Sequence, residues 1–269
     1  SLVNPEMRVR FTSPHPKDFP DDLLSLISER ANIAKCIHLP AQSGSSTCLE
    51  RMRRGYTREA YLELVANIRQ IVPDIALTSD FIAGFCGETE QEHAETMSLM
   101  NQVKYTYCFV YSYSMREKTR AYHRLKDDVE QEIKNRRYME MVDVFRANAH
   151  ELNNSKRNQT HLVLIDQVSK RSADAFSGDN NTLVIIPKQE IPFIGSLADY
   201  VNLYSTENNS ESIQKLSRKV PDIGDYVASR ILSATSQSMK AEPLFACNLQ
   251  TFDQIKRFES TSNSKFNFK

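Results

Sequence analysis

The stretch from Thr78 to Thr89, Thr-Ser-Asp-Phe-Ile-Ala-Gly-Phe-Cys-Gly-Glu-Thr, constrains the fold more than any other part of the chain. Ile75, Ala76 and Leu77 lead into it as a run too apolar for a strand with one wet face, so that strand is expected to lie under helices. Gly84 and Gly87 then permit a sharp turn. Thr89 and Glu92 stand three apart as a capping box, with Glu90 in the same first turn, and this predicts a helix start. Strand, turn and helix in that order put the turn at the strand's C-terminal end. Ligands of parallel α/β sheets and barrels collect at that end, because neighbouring loops converge there with free backbone groups. The pattern fits a small-molecule site, and it fits an ordinary βα connection equally well.

The same alternation recurs on both sides. Met7 to Thr12 alternates arginine with valine and phenylalanine as a strand does, Ser13-Pro-His-Pro breaks it, and Asp21 to Ala31 sets Leu23, Leu24 and Ile27 at helical spacing. His15, between two prolines at a strand end, is either a ligand contact or a turn residue. Cys36 to Leu39 reads as a short apolar strand, followed by a small polar loop in which Gln42, Ser43 and Ser45 offer hydrogen-bonding groups. Arg51, Arg53 and Arg54 form a cationic group suited to a carboxylate or phosphate, or simply a solvated helix end. Tyr61, Leu64, Val65, Ile68 and Ile71 keep helical spacing between a Thr57 cap and a stop at Pro73. Ala94, Met97 and Met100 line the helix after Thr89 as core filler, and Thr106 to Tyr113 is a further strand. Four strands alternating with helices, joined by right-handed crossovers, build a parallel sheet with an outer helical layer, part of a barrel.

The 269 residues suit one large or two modest domains. Thirty-four basic and thirty-four acidic residues cancel, so any nucleic-acid affinity rests on a local patch. No apolar run nears the roughly eighteen residues of a membrane span. Cys36, Cys48, Cys86, Cys108 and Cys247 are too scattered for a disulfide framework or a C-x2-C metal site; reduced thiols are expected. The chain opens Ser-Leu-Val and goes almost at once into a strand, so upstream sequence is expected to be missing.

The local patch is Ser114 to Lys126, where Arg116, Lys118, Arg120, Arg124 and Lys126 face a single Glu117, with Tyr122 and His123 among them. Cations interleaved with an aromatic suit a phosphate backbone and a stacked base; the bland alternative is a solvated loop. Asp128 to about Leu152 predicts a long helix in which Lys134, Arg136 and Arg137 extend the positive charge. After the polar break at Asn153 the composition turns to short β-type runs: Thr160 to Val168, Leu183 to Ile186, Asp225 to Leu232, with a polar excursion at Thr206 to Lys219. Residues 1–157 thus read as the first domain, 158–249 as a small all-β barrel and 250–269 as a loose tail.

Five segments taken in order carry a resemblance: Thr12-Ser-Pro-His-Pro-Lys-Asp-Phe, His38-Leu-Pro-Ala-Gln-Ser-Gly-Ser, Met52-Arg-Arg-Gly-Tyr-Thr, Ser79-Asp-Phe-Ile-Ala-Gly-Phe-Cys-Gly-Glu-Thr and Tyr113-Ser-Met-Arg-Glu-Lys-Thr-Arg-Ala-Tyr. Together they resemble the motifs of the MiaB-type tRNA methylthiotransferases. Phe85-Cys-Gly-Glu-Thr and Ser114-Met-Arg-Glu-Lys-Thr look closest to the eukaryotic subgroup named for association with a regulatory subunit of cyclin-dependent kinase 5. The resemblance spans residues 5 to about 245 and implies an α/β fold: a partial radical-SAM (β/α) barrel followed by a small all-β TRAM barrel.

It also implies a function. The family converts N6-isopentenyladenosine at tRNA position 37 to its 2-methylthio derivative, using S-adenosyl-L-methionine and two [4Fe-4S] clusters. The family's C-x3-C-x2-C and the three cysteines of an earlier domain do not occur here, so the cluster ligands are missing from this sequence and the chain alone is expected to be inactive. In the matching loops, Gln42, Ser43, Arg53, Asp80 and Gly84 are the candidates for holding the cofactor, and Arg116, Lys118, Arg120 and Arg124 for contacting tRNA; no catalytic residue is assigned. The implied partners are tRNA and a cyclin-dependent kinase 5 regulatory subunit, with no membrane; the chain is expected to be a monomer in mitochondria or cytoplasm. Two rival readings are a non-catalytic RNA-binding module and a protein-interaction regulator of a kinase activator, the latter requiring an exposed apolar patch on the long helix.

Overall fold

The structure, a computed structural model, describes residues 4–10, 19–169, 175–179, 182–204 and 216–261. They fall into two compact units, one of residues 10–30 and 35–152, the other of residues up to 9, 31–34 and from 153 onward. The main segment of the second unit starts at residue 153, and short N-terminal pieces group with it.

In the first of these units, α1 (Asp21–Glu29), α2 (Ser46–Met52), α3 (Arg58–Ile71), α4 (Glu90–Val103), α5 (Arg120–Arg124) and α6 (Gln131–Asn154) accompany strands β1 (Cys36–His38), β2 (Ala76–Ala83) and β3 (Tyr107–Ser112). The strands lie parallel in the order β1-β2-β3. Alternation along them sorts their side chains by face. Ile37, Leu77, Phe81, Ala83 and Cys108 are buried, together with Leu24 and Ile27 of α1, Tyr61, Val65 and Ile68 of α3 and Leu99, Met100 and Val103 of α4. The expected caps form: Thr57 accepts from the Ala60 N–H, and Thr89 and Glu92 close a reciprocal capping box. Of the first expected strand only Met7–Arg10 lies among the described residues; there Val9 makes a single parallel bridge to Ile33, and His15 lies outside them.

The second unit comprises β4 (Thr160–Val168), β5 (Ala175–Asp179), β6 (Leu183–Pro187), β7 (Ile191–Ile194), α7 (Leu197–Tyr204), β8 (Arg218–Lys219), β9 (Tyr226–Ala234), β10 (Ser238–Cys247) and α8 (Leu249–Thr261). β4 pairs antiparallel with β5 and β9, β5 with β6 and β9 with β10, and a parallel β6–β10 pairing returns the sheet on itself. Neighbouring residues then serve opposite faces. Val163, Val227 and Ala246 enter one core with Val184, Ile186 and Ile231; Leu162, Tyr226 and Phe245 enter another with Tyr200 of α7 and Ile255 of α8. Residues 250–261, read as the start of a loose tail, are helical instead, with Leu249, Thr251 and Ile255 buried. Polar residues between the apolar ones obscured their amphipathic spacing. Of the polar excursion, 205–215 lie outside the described residues, and Arg218–Lys219 pair with β7.

Candidate functional site

One face of the parallel sheet gathers exposed aromatic and polar side chains. Register pairs His38 with Thr78, Thr78 with Tyr107, Asp80 with Phe109 and Ile82 with Tyr111, which sets these side chains in rows on one face. Tyr107, Phe109 and Tyr111 are large and exposed, Phe109 to 46% and Tyr111 to 53%. Beside them, the His38 imidazole lies between two polar neighbours, Nδ1 2.8 Å from Thr78 Oγ1 and Nε2 3.3 Å from Asp80 Oδ2. Phe109 meets the imidazole edge-on at 6.3 Å. On the reverse face, burial and the Asp80 carboxylate push the Cys108 thiol well up, so it is held neutral.

Three of the five candidate cofactor residues converge at the C-terminal end of this sheet. Gln42, in the left-handed region at φ 65°, donates its N–H to the Asp80 carbonyl at 2.8 Å and accepts at its own carbonyl from Ile82 N–H at 3.0 Å, so it extends the β1 edge past His38. Gly84 follows two residues later, its N–H donating to Glu88 Oε2 at 2.7 Å. Ser43 turns away: its hydroxyl sits 3.2 Å from Thr96 Oγ1 and accepts from Ser45 N–H, which fastens the loop to α4. Arg53 caps the C-terminus of α2 in the left-handed region and is exposed, without a bond to the other four among the described residues.

Arg51, one of three arginines that suited either an anion or a solvated helix end, is already occupied. Its guanidinium makes two 2.7 Å bonds to Glu92 and reaches the Cys86 and Gly87 carbonyls. The pair holds the Glu92 carboxyl down at about 2. A second ion cluster binds α4 to α6: Arg137, 3% exposed, meets the fully buried Glu88 at 3.0 Å and Glu90 at 2.7 Å, while Arg136 pairs with Glu90 and Glu140 and Lys134 with Asp127. The positive charge expected to continue onto α6 is therefore neutralised by these acids. Arg116, Lys118, Arg120 and Arg124 are all exposed, and none is ion-paired among the described residues. Thr119 organises them, accepting from Tyr122 N–H and donating to the Arg116 carbonyl, so that Arg120–Arg124 forms a helical turn with Tyr122 edge-on to His123.

Sequence reasoning passed over His38, Thr78 and the aromatic row, although His38 opens one of the quoted segments. The i, i+2 spacing of Tyr107, Phe109 and Tyr111 was the signal for a shared face. As for a metal, Cys48, Cys86, Cys108 and Cys247 are buried thiols, Cys36 is half-buried, and no group of three His, Cys, Asp or Glu among the described residues is placed to hold an ion. No described helix is long and apolar enough to cross a membrane.

Comparison with known proteins shows what the chain is similar to. Residues 2–100 match the radical SAM superfamily. Over 93% of its length the chain is 51% identical to the mitochondrial tRNA methylthiotransferase CDK5RAP1 of Homo sapiens, covering 39% of that protein. It is 48% identical to a CDK5RAP1-like protein of Caenorhabditis elegans over 78% of its own length and 38% of the relative's. It is also 45% identical to a tRNA-2-methylthio-N(6)-dimethylallyladenosine synthase of Chloroherpeton thalassium, over 79% and 47% of the two chains. Fold and matches together define a radical SAM protein. Within that class the chain belongs to the MiaB-type tRNA methylthiotransferases, and it spans about two fifths of the length of the curated eukaryotic relatives it matches.

Proposed function

We propose that this chain works as part of a tRNA methylthiotransferase that converts N6-isopentenyladenosine to its 2-methylthio derivative in mitochondria. The observation that carries the reading is the 51% identity to a mitochondrial enzyme of that name over nearly the whole chain. S-adenosyl-L-methionine with an iron–sulfur cluster would supply the radical, a chemistry side chains lack. What this chain offers is a binding face. Asp80 Oδ1, without a partner among the described residues, accepts hydrogens from hydroxyl or amino groups, Gln42 shapes the rim, Gly84 lets the backbone turn beside the ligand, and Phe109 and Tyr111 give apolar surface to a ring. Arg53 stands exposed near the end of α2 as the cation of the set.

The exposed Arg116, Lys118, Arg120 and Arg124 are the tRNA contacts in this reading. The ring formed by β4, β5, β6, β10 and β9 supports taking the second unit as a TRAM barrel. The reading as a kinase-activator regulator draws no support from α6, where Met139 is the one large apolar side chain exposed among the described residues.

The test is nucleoside mass spectrometry of tRNA from cells with the gene disrupted. Loss of the 2-methylthio nucleoside with accumulation of N6-isopentenyladenosine in mitochondrial tRNA is expected. An unchanged nucleoside profile would reject the enzyme reading and leave RNA binding.

A further inference from the structure

A partly exposed carboxylate on a strand has several rotamers open to it, so a ligand-holding Asp80 requires something to fix it. Thr78 and Asp80 stand two residues apart on β2, about 7 Å along the strand and on the same face. From β1, His38 bridges the two, one ring nitrogen on each. We propose that His38 is a positioning residue which holds Asp80 so that Oδ1 faces the open side of the sheet, where it accepts a hydrogen from a hydroxyl or amino group of a nucleoside ligand. This rests on the cofactor-face reading above.

The proposal requires one tautomer. A carboxylate oxygen accepts, so Nε2 carries the hydrogen and donates it to Oδ2; Nδ1 accepts, and the Thr78 hydroxyl donates to it. Every polar atom of the relay except Asp80 Oδ1 is thereby engaged. Phe109, the register partner of Asp80, stands edge-on to the imidazole and limits its rotation. A ring that served only as filler would not need both nitrogens matched, and phenylalanine would replace it. Glutamine is different, since its amide N–H2 falls near the place of Nε2–H and keeps the donor to Asp80.

Two measurements on the 269-residue chain decide it. Long-range proton–nitrogen NMR of the imidazoles, with His38 assigned from the His38→Gln variant, is expected to show the Nε2–H tautomer in the wild type and a mixture in Asp80→Asn and Thr78→Val. Titration with S-adenosyl-L-methionine is expected to show about tenfold weaker binding in both His38→Phe and Asp80→Asn, no further loss in the double variant, and recovery of most of the affinity in His38→Gln. A wild-type Nδ1–H tautomer, or one indifferent to Asp80→Asn, overturns the proposal. So does weak binding in Asp80→Asn beside full binding in His38→Phe, which leaves the cofactor-face reading standing. If the wild-type chain takes up no S-adenosyl-L-methionine, that reading fails for this chain and the proposal falls with it.

Discussion

A Cβ built on Gly84 would lie 2.3 Å from Cγ of Lys134. Gly84 ends the strand at φ +74°, a conformation L side chains rarely adopt, and the Lys134 stem passes across it to an ion pair with Asp127, its ammonium 5.5 Å from the Tyr113 ring centre. Gly84→Ala therefore meets two penalties, one of backbone strain and one of overlap with a side chain 4% exposed overall. A loss of about 2–3 kcal/mol is expected in denaturant unfolding. In a Lys134→Ala background the 2.3 Å overlap goes and only the 3.2 Å approach to Cβ remains, so the further cost of Gly84→Ala should fall to about 1–2 kcal/mol. Equal costs in the two backgrounds would show that the overlap is immaterial.

Acid sensitivity follows from Glu92. Arg51, Thr47 and the Thr89 N–H all stabilise its ionised form, and its carboxyl drops from 4.5 to about 2. A carboxyl depressed in the folded state contributes stability above its unfolded value and loses it as pH falls through the folded one. Here the contribution is complete above about pH 4.5 and gone near 2. Glu92→Gln should cost up to about 3 kcal/mol at pH 7 and progressively less below pH 4.5, which thermal melts across that range would measure. A constant difference between the variant and the wild type down to pH 2 would contradict this.

How much of this was legible depended on how local the cause was. The capping box at Thr89, the Thr57 cap and the strand into Gly84 lie within a few residues and were read directly. Candidate ligand groups were harder, because a side chain's availability depends on partners far along the chain. Ser43 is engaged by Thr96, and Arg51 by Glu92, across fifty-three and forty-one positions. The charge on α6 failed for the same reason, as Glu88 and Glu90 precede Arg137 by nearly fifty residues. His38 became visible only once register set it against Thr78 and Asp80. Strands β5, β7 and β10 were missed where alternation is interrupted: β7 and β10 each contain a proline, and β10 carries bulges at Lys240/Ala241 and Pro243/Phe245.

Distance hides the cap of α8 as well. The Glu6 carboxylate accepts from the N–H groups of Leu249 at 2.6 Å and Gln250 at 3.3 Å, satisfying donors that a helix start leaves free and placing negative charge at the positive end. The Glu6 carbonyl also accepts from the Tyr226 hydroxyl, over whose ring Arg8 lies at 5.2 Å. Glu6→Ala should cost about 1 kcal/mol and raise amide exchange selectively in the first turn of α8. Glu6→Gln keeps one accepting oxygen and loses the charge, so it should fall between. If exchange in α8 is unmoved by Glu6→Ala, the carboxylate does not hold the helix.

The exposed cations past β3 make the sharpest prediction for the proposed RNA role. Arg116, Lys118, Arg120 and Arg124 have no acidic partner among the described residues, whereas Lys134, Arg136 and Arg137 are paired. Only the first group can release counterions from a phosphate backbone. Substituting one of the four by alanine should weaken binding to a tRNA anticodon stem-loop similarly whatever its sequence and flatten the plot of log affinity against log salt by roughly 0.7 to 0.9 for each phosphate left unneutralised. Arg136→Ala serves as the control, since its guanidinium is already paired with Glu90 and Glu140 and its removal should leave the slope unchanged. Fluorescence anisotropy between 50 and 200 mM salt, about a fourfold range, resolves such a change. Equal slopes in wild type and in a variant lacking all four cations would mean that this segment is a solvated loop and that the tRNA is held elsewhere.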